Sequence, residues 1–208
     1  MPNWCYNSLH VSGPQEDINR WKERATSEDS PLDLNKLYPM PPDVLASLKR
    51  PWQDENGKLI GDPPGGPLWY NWSIENWGTK WNLGKDVDVS ESPAVEGGLP
   101  ASIHYMFDSA WCPPVGAIDN AVKDFPTLTF KMLYEELGCG FVGRYHAVNG
   151  EGTDESKDPI IQKCSKCKEG DGEALTFCTS LIGCTTCDEC GDDYSPDDAE
   201  ELYFGETL

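Results

Sequence analysis

The residues with the most specific chemistry are the cysteines near the C-terminus. Six of the nine cysteines lie between positions 164 and 190. Two residues separate Cys164 from Cys167, and two separate Cys187 from Cys190. With this spacing a short turn directs two thiolates at one metal ion. Nineteen residues lie between the pairs, which fits the roughly 15–20 of paired zinc knuckles. The sequence therefore predicts one zinc ion bound by Cys164, Cys167, Cys187 and Cys190.

Two further cysteines leave the choice of ligands open. Cys184 also precedes Cys187 by three positions, and Cys178 lies between the two pairs. Gly191 favours the pair that ends at Cys190, because glycine allows a tight positive-φ turn after the second thiolate. Four protein thiolates leave no open position on the metal, so the predicted zinc is structural and not catalytic. An iron–sulfur site or disulfides are the alternatives.

Outside this tail, few groups could perform acid–base or nucleophilic chemistry. The chain has three histidines, and it lacks a glycine-rich phosphate loop and a nucleophile elbow. The isolated cysteines Cys5, Cys112 and Cys139 are interpreted as small buried residues. The candidates for lining a ligand cleft are Trp77, Lys80, Asp108 and Trp111. The preferred interpretation of these motif residues is structural, since tryptophans fill cores and short polar side chains cap turns. The sequence favours a non-catalytic protein over an enzyme.

Positioning these residues requires a folded domain, and the hydrophobic periodicity indicates its elements. Cys5 to Val11 alternates as a strand does, and Pro14 begins a helical stretch. The remaining predicted elements are a strand within 72–76, a strand over 102–109, a helix over 115–125, and strands over 128–134 and 141–148. This order, with one extra strand, is the split βαβ arrangement of ferredoxin-like α+β domains, an antiparallel sheet with two helices on one face.

Composition divides the chain into three parts. Residues 1–150 contain all eight tryptophans and are predicted to form the ferredoxin-like domain, with a long inserted arm at about 26–67 that could cover the helix-free sheet face. Residues 151–163 are polar and are predicted to be a linker. Residues 164–208 are predicted to form a small zinc-ribbon-like module with an acidic tail, whose few apolar residues make its folding depend on the metal.

The charge balance restricts the classes of partner. The chain has 36 acidic and 16 basic residues, a formal net charge of −20. This argues against direct nucleic-acid binding, which requires a basic surface. It permits a protein that competes with nucleic acid for another protein's basic groove, and it also promotes solubility. No apolar run approaches a membrane span, and the first residues do not resemble a signal peptide. We therefore expect a cytoplasmic protein without membrane partners.

Four motifs resemble a known family. They are MPNWCYN at the start, ENWGTKWN at 75–82, FDSAWCPP at 107–114 and YEELGCGFVGR at 134–144. In this order they resemble the phage- and plasmid-encoded family with the YubB-type ferredoxin-like domain, over roughly residues 1–146. The resemblance implies a ferredoxin-like fold and a mobile-element origin, and it implies no activity. The cysteine-rich tail departs from the short members of that family.

Three functional hypotheses follow. The first is a non-catalytic accessory protein, stabilised by a structural zinc, that binds a host protein with a basic surface. The second is an acidic nucleic-acid mimic that inhibits a host defence or DNA-processing enzyme. The third is a nucleotide-binding protein or enzyme that uses the tryptophan-lined region around Lys80 and Asp108. A pocket containing both Lys80 and Asp108 would favour the third hypothesis, and surface carboxylates clustered at the spacing of phosphates would favour the second. If neither is present, the first hypothesis is favoured.

Overall fold

The centre of the protein is a six-stranded antiparallel sheet. The structure, a computed structural model, describes residues 3–48, 68–163, 176–178, 181–182, 185–186, 193–194 and 196–205. The strands are β1 (Trp4–Gly13), β2 (Val87–Ser92), β3 (Ala101–Ala110), β4 (Thr129–Glu136), β5 (Phe141–Val148) and β6 (Glu151–Lys157). They lie in the order β2-β3-β1-β4-β5-β6. Along β1, Cys5, Leu9 and Val11 are buried while Tyr6 and His10 are exposed, so one sheet face meets the core.

Helices cover that buried face. They are α1 (Gln15–Ala25), α2 (Leu34–Leu37), α3 (Pro42–Ser47), α4 (Leu68–Trp77) and α5 (Val115–Val122). Acidic residues occupy the first turn of α1 and basic residues its last turn, which matches the helix dipole. Helix α1 buries Ile18 and Trp21, and the Trp21 ring packs edge-on against Phe125 and Phe130. These contacts join α1, the end of α5 and β4 in one hydrophobic core.

The order β1-α1-β2-β3-α5-β4 is the ferredoxin-like arrangement predicted from the sequence. Strands β1 and β2 run parallel with β3 inserted between them, and β4 pairs antiparallel with the other edge of β1. Strands β5 and β6 extend the sheet beyond β4 as a meander. The sheet therefore has two strands more than the four-stranded arrangement.

The predicted strand within 72–76 is wrong, because these residues belong to helix α4. Trp69, Ser73 and Trp77 recur every four residues, and this helical spacing places Ser73 and Trp77 in the interior. Gly78, at φ 90°, follows the last helical residue. The true second strand is β2, a polar edge strand with Val87 as its buried residue, which hydrophobic alternation could not indicate.

The described part of the inserted arm, residues 26–48, lies on the helical side of the sheet and not on the helix-free face. In the described part of the arm, α2 packs against α1 and α5, and α3 packs against α4. Leu34 and Leu37 of α2 are buried in the main core. The described part of the arm therefore widens the helical layer, because its buried leucines pack into the same hydrophobic core as α1 and α5.

The segment predicted to be a linker begins with a sheet strand. Residues Glu151–Lys157 form β6, which pairs with β5 along its whole length. All seven residues are exposed, as is common for an edge strand whose charges discourage pairing with another molecule. Gly152 lies beneath the Tyr145 ring, where a Cβ atom would come within 2.1 Å of the tyrosine hydroxyl oxygen. The polarity of residues 151–157 is therefore that of an exposed edge strand.

The C-terminal residues form small elements. Strands β7 (Ile161–Lys163) and β8 (Thr176–Cys178) pair antiparallel, as do β9 (Thr185–Thr186) and β10 (Asp193–Tyr194). Helix α6 (Pro196–Phe204) follows them. Leu181, Ala199 and Tyr203 form a second hydrophobic cluster with Val142 of β5. Described residues of the tail therefore contact the sheet face opposite α1 and α5, which we call the open face.

Candidate functional site

The open face brings together polar residues from distant parts of the chain. Tyr6 of β1 is the direct cross-strand partner of Asp108 on β3 and of Glu135 on β4. Directly opposed residues of antiparallel strands project to the same side of a sheet. The three side chains therefore form one transverse row, at the end of the sheet where β1 begins.

A groove of about 480 Å³ lies along this row. Four carboxylate residues line it, together with Tyr6, Met106 and Ile182. The carboxylate residues are Asp86, Asp88, Asp108 and Glu135. The described residues that line the groove include no lysine, arginine or histidine. We call this site the acidic groove. Its negative potential is reinforced because the protein surface beside it excludes part of the water that would screen the charges.

Burial affects Asp108 most clearly. The partial loss of water around the carboxylate raises the pKa of Asp108 above its ordinary value. The charged form of Asp108 is therefore held at a free-energy cost in the folded protein. A cation that enters the groove would offset this cost, so the site is electrostatically prepared for a positively charged ligand.

An aromatic pocket continues from the acidic groove. It has a volume of about 220 Å³, and it shares Asp86 and Asp108 with the groove. Trp4 and Trp81 form part of its wall, with their ring centroids 6.2 Å apart. Tyr6 is 52% exposed and Trp4 is 44% exposed. Two carboxylates beside exposed aromatic rings provide both charge attraction and cation–π contact for a basic side chain.

The four predicted cleft residues are not brought together. Trp77 and Lys80 line a separate pocket of about 240 Å³ on the helical side, and Asp108 lies in the acidic groove. The Lys80 ammonium lies 4.7 Å from the Trp81 ring centroid and 5.2 Å from that of Tyr70. Trp111, at φ 73°, lines none of these three pockets. Trp81 and Asn82 line both the Lys80 pocket and the aromatic pocket that contains Asp108.

Several motif residues have structural contacts. The Asn7 side-chain amide donates to the backbone carbonyl oxygens of Cys5 and Phe107 and to the Ser109 hydroxyl oxygen. Thr79 donates its hydroxyl hydrogen to the carbonyl oxygen of Ala110. These bonds tie the first strand to β3 and the end of α4 to the end of β3. They agree with the structural interpretation of the motifs.

Gly116 has a packing role that its sequence position did not indicate. A Cβ atom at Gly116 would lie 2.3 Å from the carbonyl oxygen of Asn76. The absence of a side chain at this position therefore lets α5 approach the end of α4 closely. The Trp77 indole N–H donates to the carbonyl oxygen of Tyr38, which holds α4 against the inserted arm.

The open face also carries the three histidines. His10 is the cross-strand partner of His104 and of Lys131, and Lys131 is the partner of His146. The His10 and His104 ring centroids are 6.2 Å apart. Burial lowers the pKa of both imidazoles, and the positive charges of His104 and Lys131 lower that of His10 further. Among the described residues, no three or more His, Cys, Asp or Glu side chains are grouped to hold a metal ion.

The isolated cysteines are only partly as predicted. Cys5 is buried, and burial raises the pKa of its thiol. Cys112 and Cys139 are exposed, so the interpretation of all three as buried residues is wrong for these two. Cys112 lies in a bend after β3, and Cys139 lies in the turn between β4 and β5.

Most of the predicted metal ligands lie outside the described residues. This applies to Cys164, Cys167, Cys184, Cys187 and Cys190. Cys178 is the last residue of β8, opposite Ile161 of β7.

Sequence reasoning missed most of the acidic groove. It selected Asp108, but it did not select Tyr6, Asp86, Asp88 or Glu135 as residues of a cleft. The alternation in β3 did place Asp108 on the face opposite Ile103 and Phe107. The missing information was the strand register, because residues 6, 108 and 135 become neighbours only through pairing.

With the site described, comparison with known proteins gives the class of domain. Residues 76–177 match the family described as the ferredoxin-like domain in Api92-like protein. The uncharacterised protein YubB of Escherichia coli strain K12 is 30% identical over 113 residues, which cover 54% of this chain and 74% of YubB. The chain therefore belongs to the Api92-like family with this ferredoxin-like domain.

The crystal structure of the protein Api92 from Yersinia pseudotuberculosis covers 76% of this chain and 98% of its own, with 12% sequence identity and a TM-score of 0.49. Within the described residues, none of the helices has the length and apolar character needed to cross a membrane.

Proposed function

We propose that this protein is a non-catalytic accessory protein that binds a basic segment of a partner protein in the acidic groove. The observation that carries this proposal is the set of four carboxylates at one groove whose described lining contains no cation. The net charge of −20 adds a long-range attraction for a basic partner. The resemblance to phage- and plasmid-encoded proteins makes a protein of a bacterial host the expected partner.

The chemistry of the groove favours arginine and lysine side chains. A guanidinium group can donate paired hydrogen bonds to a carboxylate and can also stack on an aromatic ring. Asp86 and Asp108 provide the carboxylates, and Tyr6, Trp4 and Trp81 provide exposed rings beside them. Because the groove is open to water, we expect moderate affinity, fast association and strong dependence on salt.

The two alternative hypotheses differ in their support. The acidic mimic is the special case in which the basic partner surface is a DNA-binding groove, and the clustered carboxylates are compatible with it. The nucleotide-binding hypothesis depends on Lys80 and Asp108 acting together. It has less support, because Asp108 and Lys80 line different pockets.

A structural zinc remains part of the proposal. The order of the tail elements supports it, because the segment between β7 and β8 contains Cys164 and Cys167, and the segment between β9 and β10 contains Cys187 and Cys190. In a zinc ribbon each knuckle likewise connects the two strands of a hairpin. The four thiolates would hold the two hairpins together.

Peptide binding tests the groove directly. A peptide of about eight alternating arginine and glycine residues should bind with a dissociation constant that rises between about 50 mM and about 300 mM salt. A glutamate–glycine peptide of equal length should not bind. The double variant with Asp86→Asn and Asp88→Asn should weaken binding about tenfold. Asp43→Asn together with Asp124→Asn removes the same charge elsewhere and is the matched control.

Absence of binding by the arginine peptide, or equal weakening by both double variants, would overturn the proposed function. A third arm distinguishes the partner classes. Random duplex DNA at the same concentrations, added without the peptide, should not bind the protein, since the groove repels phosphate. If the groove binds a DNA-binding enzyme, and the DNA that this enzyme recognises releases it, the result would favour the mimic.

A further inference from the structure

We infer that the C-terminal tail forms one wall of the acidic groove and that Glu200 is the positioning residue that holds this wall on the sheet. The effect on partner binding rests on the proposed function. The positioning itself rests on contacts between α6, the segment 181–182 and strands β4 and β5. These contacts fall into three connected steps.

The first step is the attachment of α6 through a buried carboxylate. Glu200 is 1% exposed. Its Oε2 accepts a hydrogen bond of 2.6 Å from the Lys131 ammonium, and its Oε1 lies 3.7 Å from an Arg144 guanidinium nitrogen. Lys131 belongs to β4 and Arg144 to β5. A buried carboxylate between two cations fixes the helix at one place on the sheet, because a shift of the helix would separate these opposite charges.

The last turn of α6 makes further contacts with the sheet, one of them also through Arg144. The Arg144 guanidinium lies 4.4 Å from the centroid of the Phe204 ring. The Tyr203 hydroxyl oxygen accepts a hydrogen bond of 2.9 Å from the Ile160 backbone N–H, and the Lys157 ammonium donates to the Tyr203 carbonyl oxygen at 2.7 Å. These bonds connect α6 to the residues at and beyond the end of β6. They define the rotation of the helix as well as its position.

The second step passes from α6 to the residue pair at 181–182. Leu181 is fully buried and packs in one cluster with Ala199 and Tyr203 of α6 and Val142 of β5. Its backbone N–H donates a hydrogen bond of 2.5 Å to Oε2 of Glu135. Helix α6 therefore packs against the Leu181 side chain, and the Leu181 backbone N–H is hydrogen-bonded to Glu135, a carboxylate of the groove.

The third step is the groove itself. Ile182, next to Leu181, lines the acidic groove together with Glu135. If α6 leaves the sheet, the groove loses the Ile182 wall and Glu135 loses the Leu181 N–H. In addition, Lys131 and Arg144 lose Glu200 as a partner on the same sheet face. Their positive charge would then repel a basic segment, so detachment of the tail weakens the site in two ways.

The test separates tail attachment from partner binding. In Glu200→Gln the carboxylate charge is removed with little change of shape, whereas Glu201→Gln removes the same charge from an exposed neighbour. Hydrogen exchange measures attachment of residues 196–205 and of the Leu181 amide. The arginine–glycine peptide measures the groove. If the attached fraction falls to about one tenth, the apparent dissociation constant rises about tenfold.

The expected result is specific to Glu200. Glu200→Gln should lose exchange protection in α6 and at Leu181 and should weaken peptide binding, while Glu201→Gln should do neither. Glu200→Asp keeps the charge, so it should retain part of the exchange protection and part of the peptide affinity. A general loss of stability would not produce this difference between the two variants. Phe204→Ala provides a second route, since it weakens the Arg144 contact and leaves Glu200 intact.

Two outcomes overturn the inference while the proposed function stands. One is a detached α6 with unchanged peptide affinity, in Glu200→Gln or in Phe204→Ala. The other is an α6 that stays protected without the Glu200 charge. If the unaltered protein does not bind the arginine peptide, the proposed function fails, and the positioning role for that site fails with it.

Discussion

The ring of Tyr134 on β4 lies directly over Gly143 on β5. The two residues are cross-strand partners, and a Cβ atom at position 143 would come within 2.2 Å of the tyrosine Cζ. The Tyr134 hydroxyl then donates a hydrogen bond of 2.8 Å to Asp154 on β6. One tyrosine therefore spans three strands, and it can do so because its neighbour has no side chain.

We predict that Gly143→Ala destabilises the fold by about 1–3 kcal/mol, because the added methyl group displaces the Tyr134 ring within a packed layer. Urea denaturation measures the change. Gly84→Ala is the matched control, since a Cβ atom there would meet nothing within 4 Å. Equal stabilities of the two variants would contradict the packing of Tyr134 on Gly143.

The core of the sheet could be predicted because its strands alternate. In β3, Ile103, Tyr105 and Phe107 occupy every second position and are buried, so period-two hydrophobicity identifies the strand from the sequence alone. Strands β2 and β6 could not be predicted in this way. They are edge strands in which most or all residues are exposed, and their hydrogen bonds to β3 and β5 leave no pattern in the sequence.

The candidate site was less predictable than the fold. Tyr6, Asp108 and Glu135 are separated by 102 and 27 positions, and only the register of β1 with β3 and β4 makes them neighbours. The tail posed a related problem. Cysteine spacing predicts a metal module, but it carries no information about the contacts of α6. Glu200 could not be distinguished from the exposed Glu201 beside it, because the difference arises from Lys131 and Arg144 on distant strands.

Acid should destabilise the protein through His10 and His104. Their pKa values are lowered in the folded state, so between the folded pKa and the ordinary value near about 6.5 the unfolded chain binds more protons. Stability is therefore retained above this window and falls as pH decreases through it. The two imidazole rings lie next to each other, with Ser8 beside His104 and Lys131 beside His10.

Urea denaturation at pH 7.5 and pH 5.5 measures this dependence. The double variant with His10→Asn and His104→Asn should lose less stability between the two pH values than the unaltered protein does. A larger loss in the variant would contradict the assigned sign. The carboxylates are the same in both proteins, so their contribution to the pH dependence largely cancels in the comparison.

Asp108→Asn should increase stability and weaken peptide binding together. Burial raises the pKa of Asp108 in the folded protein, so its ionised form opposes folding at neutral pH. Removing the charge should therefore raise the melting temperature at pH 7. This gain should shrink as pH falls below the folded pKa, and it should disappear below the ordinary aspartate pKa of about 3.9, where Asp108 is neutral in both states. Asp124→Asn, on the opposite side of the sheet, is the control, and a loss of stability in Asp108→Asn would contradict the argument.

Metal analysis tests the predicted zinc site. We expect one zinc ion per chain, because two thiolate pairs complete a tetrahedral shell. Cys190→Ser should abolish stoichiometric zinc and unfold the tail, since the tail's few apolar residues cannot offset the entropy of ordering it. Strands β1 to β5 should remain folded, because their core consists of residues outside the tail.

Hydrogen exchange locates the effect of Cys190→Ser. Protection should be lost in β7 to β10 and in α6, because α6 follows the cysteine segment directly, while the Leu9 and Val11 amides in β1 should stay protected. Cys112→Ser removes an exposed thiol outside the tail and should leave the zinc content unchanged. Iron in place of zinc, or a full zinc complement in Cys190→Ser, would refute the predicted ligand set. Full zinc in Cys190→Ser together with its loss in Cys184→Ser would assign Cys184 as the fourth ligand.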